Sequence, residues 1–204
     1  MNLARLLDHP MLWEFSRLSL DRMFGVYSSR IRLMREWRCL EGNPSVLDLG
    51  CGIGHYSSIT RGRYLGVDLN ERYLEHARRR RPRQGAEYRC ADVTVVATQE
   101  AAFDLVLIVD VLHHLPNTQC LRLLRAASAL APRHVVSFEP VSWQPNPLGR
   151  LLVHNDRGKY VRSLGDLHQL FQESGLRVAQ SSQLWLGPFN TRAIHALPAR
   201  SGDR

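Results

Sequence analysis

An apolar strand that runs without pause into three glycines constrains this chain more than any other feature. Residues 46–54 read Val46-Leu47-Asp48-Leu49-Gly50-Cys51-Gly52-Ile53-Gly54. Glycine tolerates left-handed backbone and lets the main chain approach a ligand that a Cβ would repel. At the carboxyl end of a parallel strand, ahead of a helix, such a turn is where open α/β sheets take their ligands. The spacing departs from the pyrophosphate-binding form G-x-G-x-x-G. Gly50 and Gly52 fit it, but the third position is His55 and Gly54 falls one residue early. The helix that follows is read as short, because Arg61-Gly62-Arg63 stops it.

Strands and helices alternate beyond that turn. Residues 64–68, 87–91, 103–109 and 134–138 read as strands, and 103–109 is apolar on both faces, as an interior parallel strand should be. Asn70 is placed to cap a helix running to about Arg81, with Leu74 and Ala77 inward. Asn117 or Thr118 is placed to cap another, with Leu121, Leu124, Ala127 and Leu130 inward. Ser163-Leu164-Gly165-Asp166 reads as a capping box opening a third, with Leu167, Leu170 and Phe171 inward and Gly175 as the stop. Two last strands, 176–186 and 190–197, are joined by Gly187-Pro188, and so short a turn makes them antiparallel. Strands spaced by helices of this length mean βαβ units and a mainly parallel sheet.

Residues 1–40 read as helical, starting near Asp8-His9-Pro10 and interrupted at Gly25. Residues 141–162 read as an irregular insertion, rich in Pro, Asn and Gly yet carrying Trp143 and Tyr160. The expected division is a helical cap over 1–42, a main domain over 43–197 and a tail over 198–204.

Composition narrows the class. With 204 residues, 44% hydrophobic and 23% charged, the chain has the profile of a globular protein and needs no staples. No apolar run approaches the roughly 18 residues of a membrane span. The start, MNLARLLDHP, lacks the apolar stretch of a signal peptide, so the expected location is the cytoplasm. Cys39, Cys51, Cys90 and Cys120 have no C-x-x-C spacing and read as free thiols of a reducing compartment. The net charge of +8 is carried almost wholly by arginine. The run Arg78-Arg79-Arg80-Arg81-Pro82-Arg83 suits the negative end of a helix dipole, and no aromatic side chains are interleaved to stack nucleic-acid bases.

Acidic residues close the successive strands. Asp68 ends the second, where a carboxylate can hold a sugar diol by charge-assisted hydrogen bonds. Asp92 follows the third, where it can accept from the exocyclic amine of adenine. Asp110 follows the fourth and opens Asp110-Val111-Leu112-His113-His114-Leu115-Pro116.

Taken together, VLDLGCGIG, YLGVDLN, the Asp92 turn and FDLVLIVDVLHHLP resemble the successive motifs of class I S-adenosylmethionine-dependent methyltransferases. The resemblance is to the small-molecule, type 11-like branch, covers residues 45–140, and in element order extends to about 197. It implies a Rossmann-like α/β three-layer sandwich whose seven-stranded, mostly parallel sheet contains one antiparallel strand. The implied cofactor is S-adenosyl-L-methionine. By position, Gly50, Cys51 and Gly52 would line its methionyl part, with Asp48 supporting the loop. Asp68 and Leu69 would meet ribose and adenine, and Asp92 and Val93 the adenine edge. Asp110 and Val111 would lie near the amine and sulfonium. One departure is the turn Ala131-Pro132-Arg133, which lacks the usual Gly-Gly.

A neutral acceptor must lose a proton, and His113, His114, His55 and Glu139 are the candidate bases. Histidine suits the task because its reference pKa of about 6.5 lies near working pH. Adjacent His113 and His114 are expected to point to different sides of a loop, with at most one facing substrate. No third ligand stands at metal spacing beside them, so no metal is expected there. The insertion 141–162 then lies on the acceptor side. Tyr27, Arg30, Trp143, Arg157 and Tyr160, with Lys159 and Arg162 nearby, would shape a pocket for a small-molecule substrate of anionic or lipid-like character. The alternatives are an RNA or protein methyltransferase, a nicotinamide-dependent oxidoreductase disfavoured by the glycine spacing, and a cofactor-binding module without turnover.

Overall fold

Val46–Leu49 and Leu105–Val109 are short, almost wholly apolar and buried, and they pair in parallel at the centre of the sheet, with Val46 opposite Leu105. The fold around them is taken from a computed structural model that describes residues 10–96, 102–130, 133–154 and 158–199. Helices α1 (Pro10–Phe24) and α2 (Val26–Glu36) come first. Then follow β1 (Val46–Leu49), β2 (Tyr64–Asp68), α3 (Glu71–Arg80), β3 (Ala86–Cys90) and the one-turn helix α4 (Val93–Val96). Next come β4 (Leu105–Val109), α5 (Asn117–Ala129), β5 (His134–Pro140), α6 (Pro147–His154) and α7 (Leu164–Glu173). The hairpin β6 (Leu176–Leu186) and β7 (Phe189–Pro198) ends the sheet.

The strand order is β3-β2-β1-β4-β5-β7-β6, and β7 runs against both its neighbours. The sheet is therefore the expected seven-stranded one with one antiparallel strand. Two apolar layers cover its faces. One joins Val106, Ile108 and Val135 to Leu123 and Leu124 of α5 and Phe171 of α7. The other joins Leu105, Leu107 and Val136 to Met34 of α2 and Leu74 of α3. The order in which successive strands are added reverses between β1 and β4, which run parallel, and in open α/β sheets such a switch point opens a crevice outside the carboxyl ends.

Most expected elements form where the periodicity puts them. Asn70 caps α3 by accepting from the Tyr73 N–H, and Ser163 with Asp166 makes the reciprocal box at α7. The segment after the glycine loop is only a 3-10 turn, His55–Ile59. Three local readings need correction. The 141–162 insertion is not irregular throughout, because Pro147–His154 is a helix. Its Pro-Asn-Pro-Leu-Gly start looks like a breaker, yet proline at the first helical position has no N–H to lose. The one-turn α4 had no periodic signal. At α5 the cap is Pro116, without a side-chain bond, while Asn117 is the first helical residue and its amide oxygen accepts from Arg162. The turn at 131–132 and the tail beyond 199 lie outside the described residues.

Candidate functional site

The glycine loop folds onto the carboxyl ends of β1 and β2. The Gly50 and Cys51 N–H groups both donate to the Val67 carbonyl, at 2.8 and 3.0 Å. Gly50 has φ +80, and a Cβ there would lie 2.3 Å from Val111, so this glycine lets the loop touch the segment after β4. Gly52 has φ +54, but a Cβ there would meet nothing within 4 Å. Its bare face looks into open space, which is the volume a ligand would take.

Carboxylates stand at or beside the carboxyl ends of β1 to β4. Asp48 is 1% exposed and accepts from the Tyr64 hydroxyl at 2.6 Å, while its Oδ1 has no hydrogen-bond partner. Burial pushes the Asp48 carboxyl up to about 7, against the pull of the Tyr64 bond and helped by the nearby charge of Asp68. Asp68 accepts from the Gly52 N–H at 2.8 Å and the Asn70 N–H at 2.9 Å, tying the glycine loop to the start of α3. Burial raises its carboxyl too, although these backbone donors oppose the shift. Asp92 is exposed and accepts from the Thr94 N–H and hydroxyl, beside buried Val93. Leu69 is 70% exposed. Buried Cys51 is held as a neutral thiol, since burial and the charge of Asp48 raise it well above its usual range.

Asp110 sits at φ +55, a left-handed conformation that a non-glycine residue adopts at a cost of roughly 1–3 kcal/mol. Strain of that kind persists where surrounding bonds fix it. Here the Asp110 N–H donates to the Phe138 carbonyl, and Arg30 grips its carboxylate with two bonds of 3.0 Å. Arg30 comes from α2, is 3% exposed and reaches the Tyr56 hydroxyl as well. Burial alone would lower its pKa, but the charge of Asp110 beside it drives it up.

The segment after β4 is organised by Glu139. One carboxylate oxygen accepts from the Val111 and Leu112 N–H groups, and the other from the His113 N–H and lies 2.7 Å from His113 Nδ1. Glu139 is buried, so its place is inside the loop rather than on the crevice wall. His113 is buried as well, with the backbone of Gly158 against its ring and its carbonyl accepting from the Tyr160 N–H. His114 is exposed at the rim. The two rings do not diverge as the sequence suggests. Their centroids are 4.1 Å apart with the ring planes tilted by 40°, so the two rings touch although one is buried and the other exposed.

The remaining candidates scatter. Tyr27 stacks on His55 at 4.2 Å and meets Tyr56 edge-on. His55 is thus part of an aromatic contact, 3.3 Å from Arg81. Tyr160 is half-exposed beside His113, Lys159 is exposed, and Trp143 is 61% exposed on the far side of the insertion. Arg162 donates to the carbonyls of Leu112 and Leu115 and to Asn117, so it braces the loop from beneath. Arg157 lies outside the described residues. Sequence reasoning missed Tyr64 and Tyr56. Their only signal was a hydroxyl at a fully buried position, where a partner must be found. In the arginine run, Arg78 is taken up by Glu71 and the Tyr88 carbonyl, Arg81 by Glu14, and Arg83 by the Gly62 carbonyl.

Residues 46–133, from β1 to the start of β5, match the family described as methyltransferase domain. That stretch, the glycine loop and the strands β1 to β4, is what resembles a methyltransferase domain. A ubiquinone biosynthesis O-methyltransferase of Coxiella burnetii is 27% identical over 133 residues, 63% of this chain and 56% of that one. The chain thus spans about half the length of the curated relatives it matches. Among solved structures, the magnesium protoporphyrin IX methyltransferase of Synechocystis PCC 6803, with bound S-adenosylhomocysteine, superposes with a TM-score of 0.67. It is 18% identical, and the match covers 87% of this chain and 83% of that one. A (4+2)-cyclase superposes equally well, TM-score 0.67 at 13% identity, covering 84% of this chain and 80% of its own. The shared fold therefore carries more than one chemistry, and activity is decided by the residues of the crevice.

Proposed function

We propose that this protein is a methyltransferase that binds S-adenosylmethionine along the carboxyl ends of β1 to β4 and transfers its methyl group to a small, lipid-like acceptor. The observation that supports the reading is the bare face of Gly52, open to space and tied by its N–H to Asp68, with Asp48 and Asp110 on the neighbouring strand ends. A backbone cradle with acids on those strand ends fits a cationic, sugar-bearing ligand and disfavours a pyrophosphate.

In this assignment Gly50, Cys51 and Gly52 line the methionyl part and Asp48 stiffens the loop from below. Asp68 and Leu69 take the ribose side, Asp92 and Val93 the adenine edge, and Asp110 with Val111 the amine and sulfonium. When bound, the cofactor supplies an electrophilic methyl group. The protein's part is alignment and proton handling. Holding an acceptor in line at about 3 Å can supply roughly 7–11 kcal/mol. His114, exposed at the rim, is the candidate base, and His113, fixed by Glu139, positions it through ring contact. A base so placed adds about 10²–10⁴-fold.

The lipid-like character of the acceptor is supported by side chains that face solvent. Met11, Phe15, Leu18 and Met23 of α1 and Leu148 and Leu151 of α6 are all at least half exposed. The two helices meet through the hairpin tip. Gly187 packs on Phe24 at the end of α1, and Gly149 of α6 lies against the Pro188 carbonyl. An apolar rim that size favours an apolar acceptor or the surface that delivers it.

Calorimetry with S-adenosylhomocysteine and, separately, a nicotinamide dinucleotide tests the cofactor. Only the first is expected to bind, and Gly52→Val is expected to abolish that binding. Formation of S-adenosylhomocysteine on phenols with alkyl tails of increasing length tests the acceptor, with kcat/KM rising with tail length. Equal binding of both nucleotides, or rates indifferent to the tail, would overturn the corresponding half of the proposal.

A further inference from the structure

At the opposite edge of the sheet, where the parallel strands begin, three donor side chains converge from distant parts of the chain. Cys39 follows α2, His134 opens β5, and His195 lies on β7 opposite Val136. One donor atom from each can be chosen so that all three lie within 4.8 Å of one another. His134 Nδ1 and His195 Nε2 are 3.0 Å apart. We propose that Cys39, His134 and His195 bind a borderline-soft divalent cation, zinc first among them, with water as the fourth ligand.

The donor set and its spacing carry the proposal. One thiolate and two imidazoles are typical zinc ligands, bonded at about 2.3 Å and 2.0–2.1 Å. Tetrahedral bonds of those lengths place donors roughly 3.3–3.7 Å apart. The histidine nitrogens need only open by a few tenths of an ångström to admit an ion.

The surroundings are arranged as an outer shell would be. His195 Nδ1 is 3.0 Å from Gln180 Oε1, and donating there leaves the Nε2 lone pair aimed at the cluster. Trp37 stacks along the same ring at 5.6 Å and fixes its plane. Burial, with His134 beside it, holds His195 down to about 4, and burial with Arg133 lowers His134, so both rings are neutral ligands at pH 7. Asp104 and Glu41 oppose Arg133 at His134. Their carboxylates are engaged by Ser45 and Arg38, which leaves the fourth position to water.

The competing arrangement is a His134–His195 hydrogen bond beside an idle thiol. Cys39 then serves as a buried member of the apolar layer, its thiol donating, among the described residues, to the Trp37 carbonyl at 3.6 Å. Burial pushes that thiol up to about 12, so an ion that takes the thiolate must release a proton. The balance is one cation bound and one proton freed, with no redox change.

Cobalt(II) is the direct probe. Added to the chelator-stripped full chain, it is expected to bind at one equivalent with a sulfur-to-cobalt charge-transfer band and a tetrahedral visible spectrum, and zinc is expected to displace it. Cys39→Ser should remove the charge-transfer band. His134 is partly exposed, so His134→Ala should fold normally, weaken zinc at least about tenfold, and lose the rise in Tm that zinc gives the parent. Absence of stoichiometric binding, a charge-transfer band that survives Cys39→Ser, or unchanged affinity in His134→Ala each overturns the site. If Cys39→Ser fails to fold, the His134→Ala titration decides alone. None of these readouts depends on methyl transfer.

Discussion

Two glycines two positions apart do different jobs, and substitution separates them. At Gly50 a methyl group would run into Val111 in addition to sitting at positive φ, so Gly50→Ala is expected to destabilise the fold by about 2–4 kcal/mol. At Gly52 a methyl group meets nothing in the protein. Gly52→Ala should therefore lose only about 1 kcal/mol of stability, while weakening S-adenosylhomocysteine at least tenfold. Urea unfolding and calorimetry on the pair check both; equal loss of stability in the two would refute the distinction. The positions of Asp68 and Asp110 were legible because each closes a strand whose apolar run announces itself, whereas Asp92 follows the weaker, mostly polar run of β3. The duties of Glu139 and Arg162 were not. Each bonds main-chain groups 26 to 50 residues away, and no local pattern encodes such partners.

At the scale of elements, α1 is held by its polar side chains and presents apolar ones outward. Glu14 bonds His76 at 2.8 Å and Arg81 at 2.7 Å, both on or just beyond α3, and Asp21 accepts from the Tyr27 N–H at the start of α2. Burial alone would raise the Glu14 carboxyl, but His76 and Arg81 outweigh it and hold it low. The folded state thus prefers Glu14 ionised, and the stability this gives is lost as pH falls below the ordinary carboxylate range. Glu14→Gln should destabilise by about 1–2 kcal/mol and lower hydrogen-exchange protection in α1 while leaving β1 and β4 protected. Uniform loss of protection would refute a local tether. Strands were read to within one or two residues because buried parallel strands are continuous apolar runs between turn signals. Helix α6 was hidden by prolines that do not break a helix when they begin it, and α4 by being one turn long.

For the molecule as a whole, Asp48 writes a pH dependence into stability. Its folded carboxyl, near 7, lies above the ordinary value of 3.8. Between about pH 4 and 7 the native state keeps a proton that the unfolded chain has released, so this contribution to stability declines across that window. Asp48→Asn keeps an acceptor for Tyr64 and removes the titration. Relative to the parent, the variant should gain stability from pH 5 to pH 8, by something on the order of 1–4 kcal/mol. Urea midpoints at the two pH values measure it, and a difference independent of pH would sink the assignment. The architecture could be read from the order of strands and helices. The meeting of Cys39, His134 and His195 could not, because only the closed sheet brings those positions together.

The Arg30–Asp110 clasp has a practical corollary for anyone recombining chains of this fold. A guanidinium from the leading helices neutralises an acid in the crevice, so a transplanted leader without that group would leave a half-hidden anion bare. Swapped halves would have to exchange positions 30 and 110 as a couple.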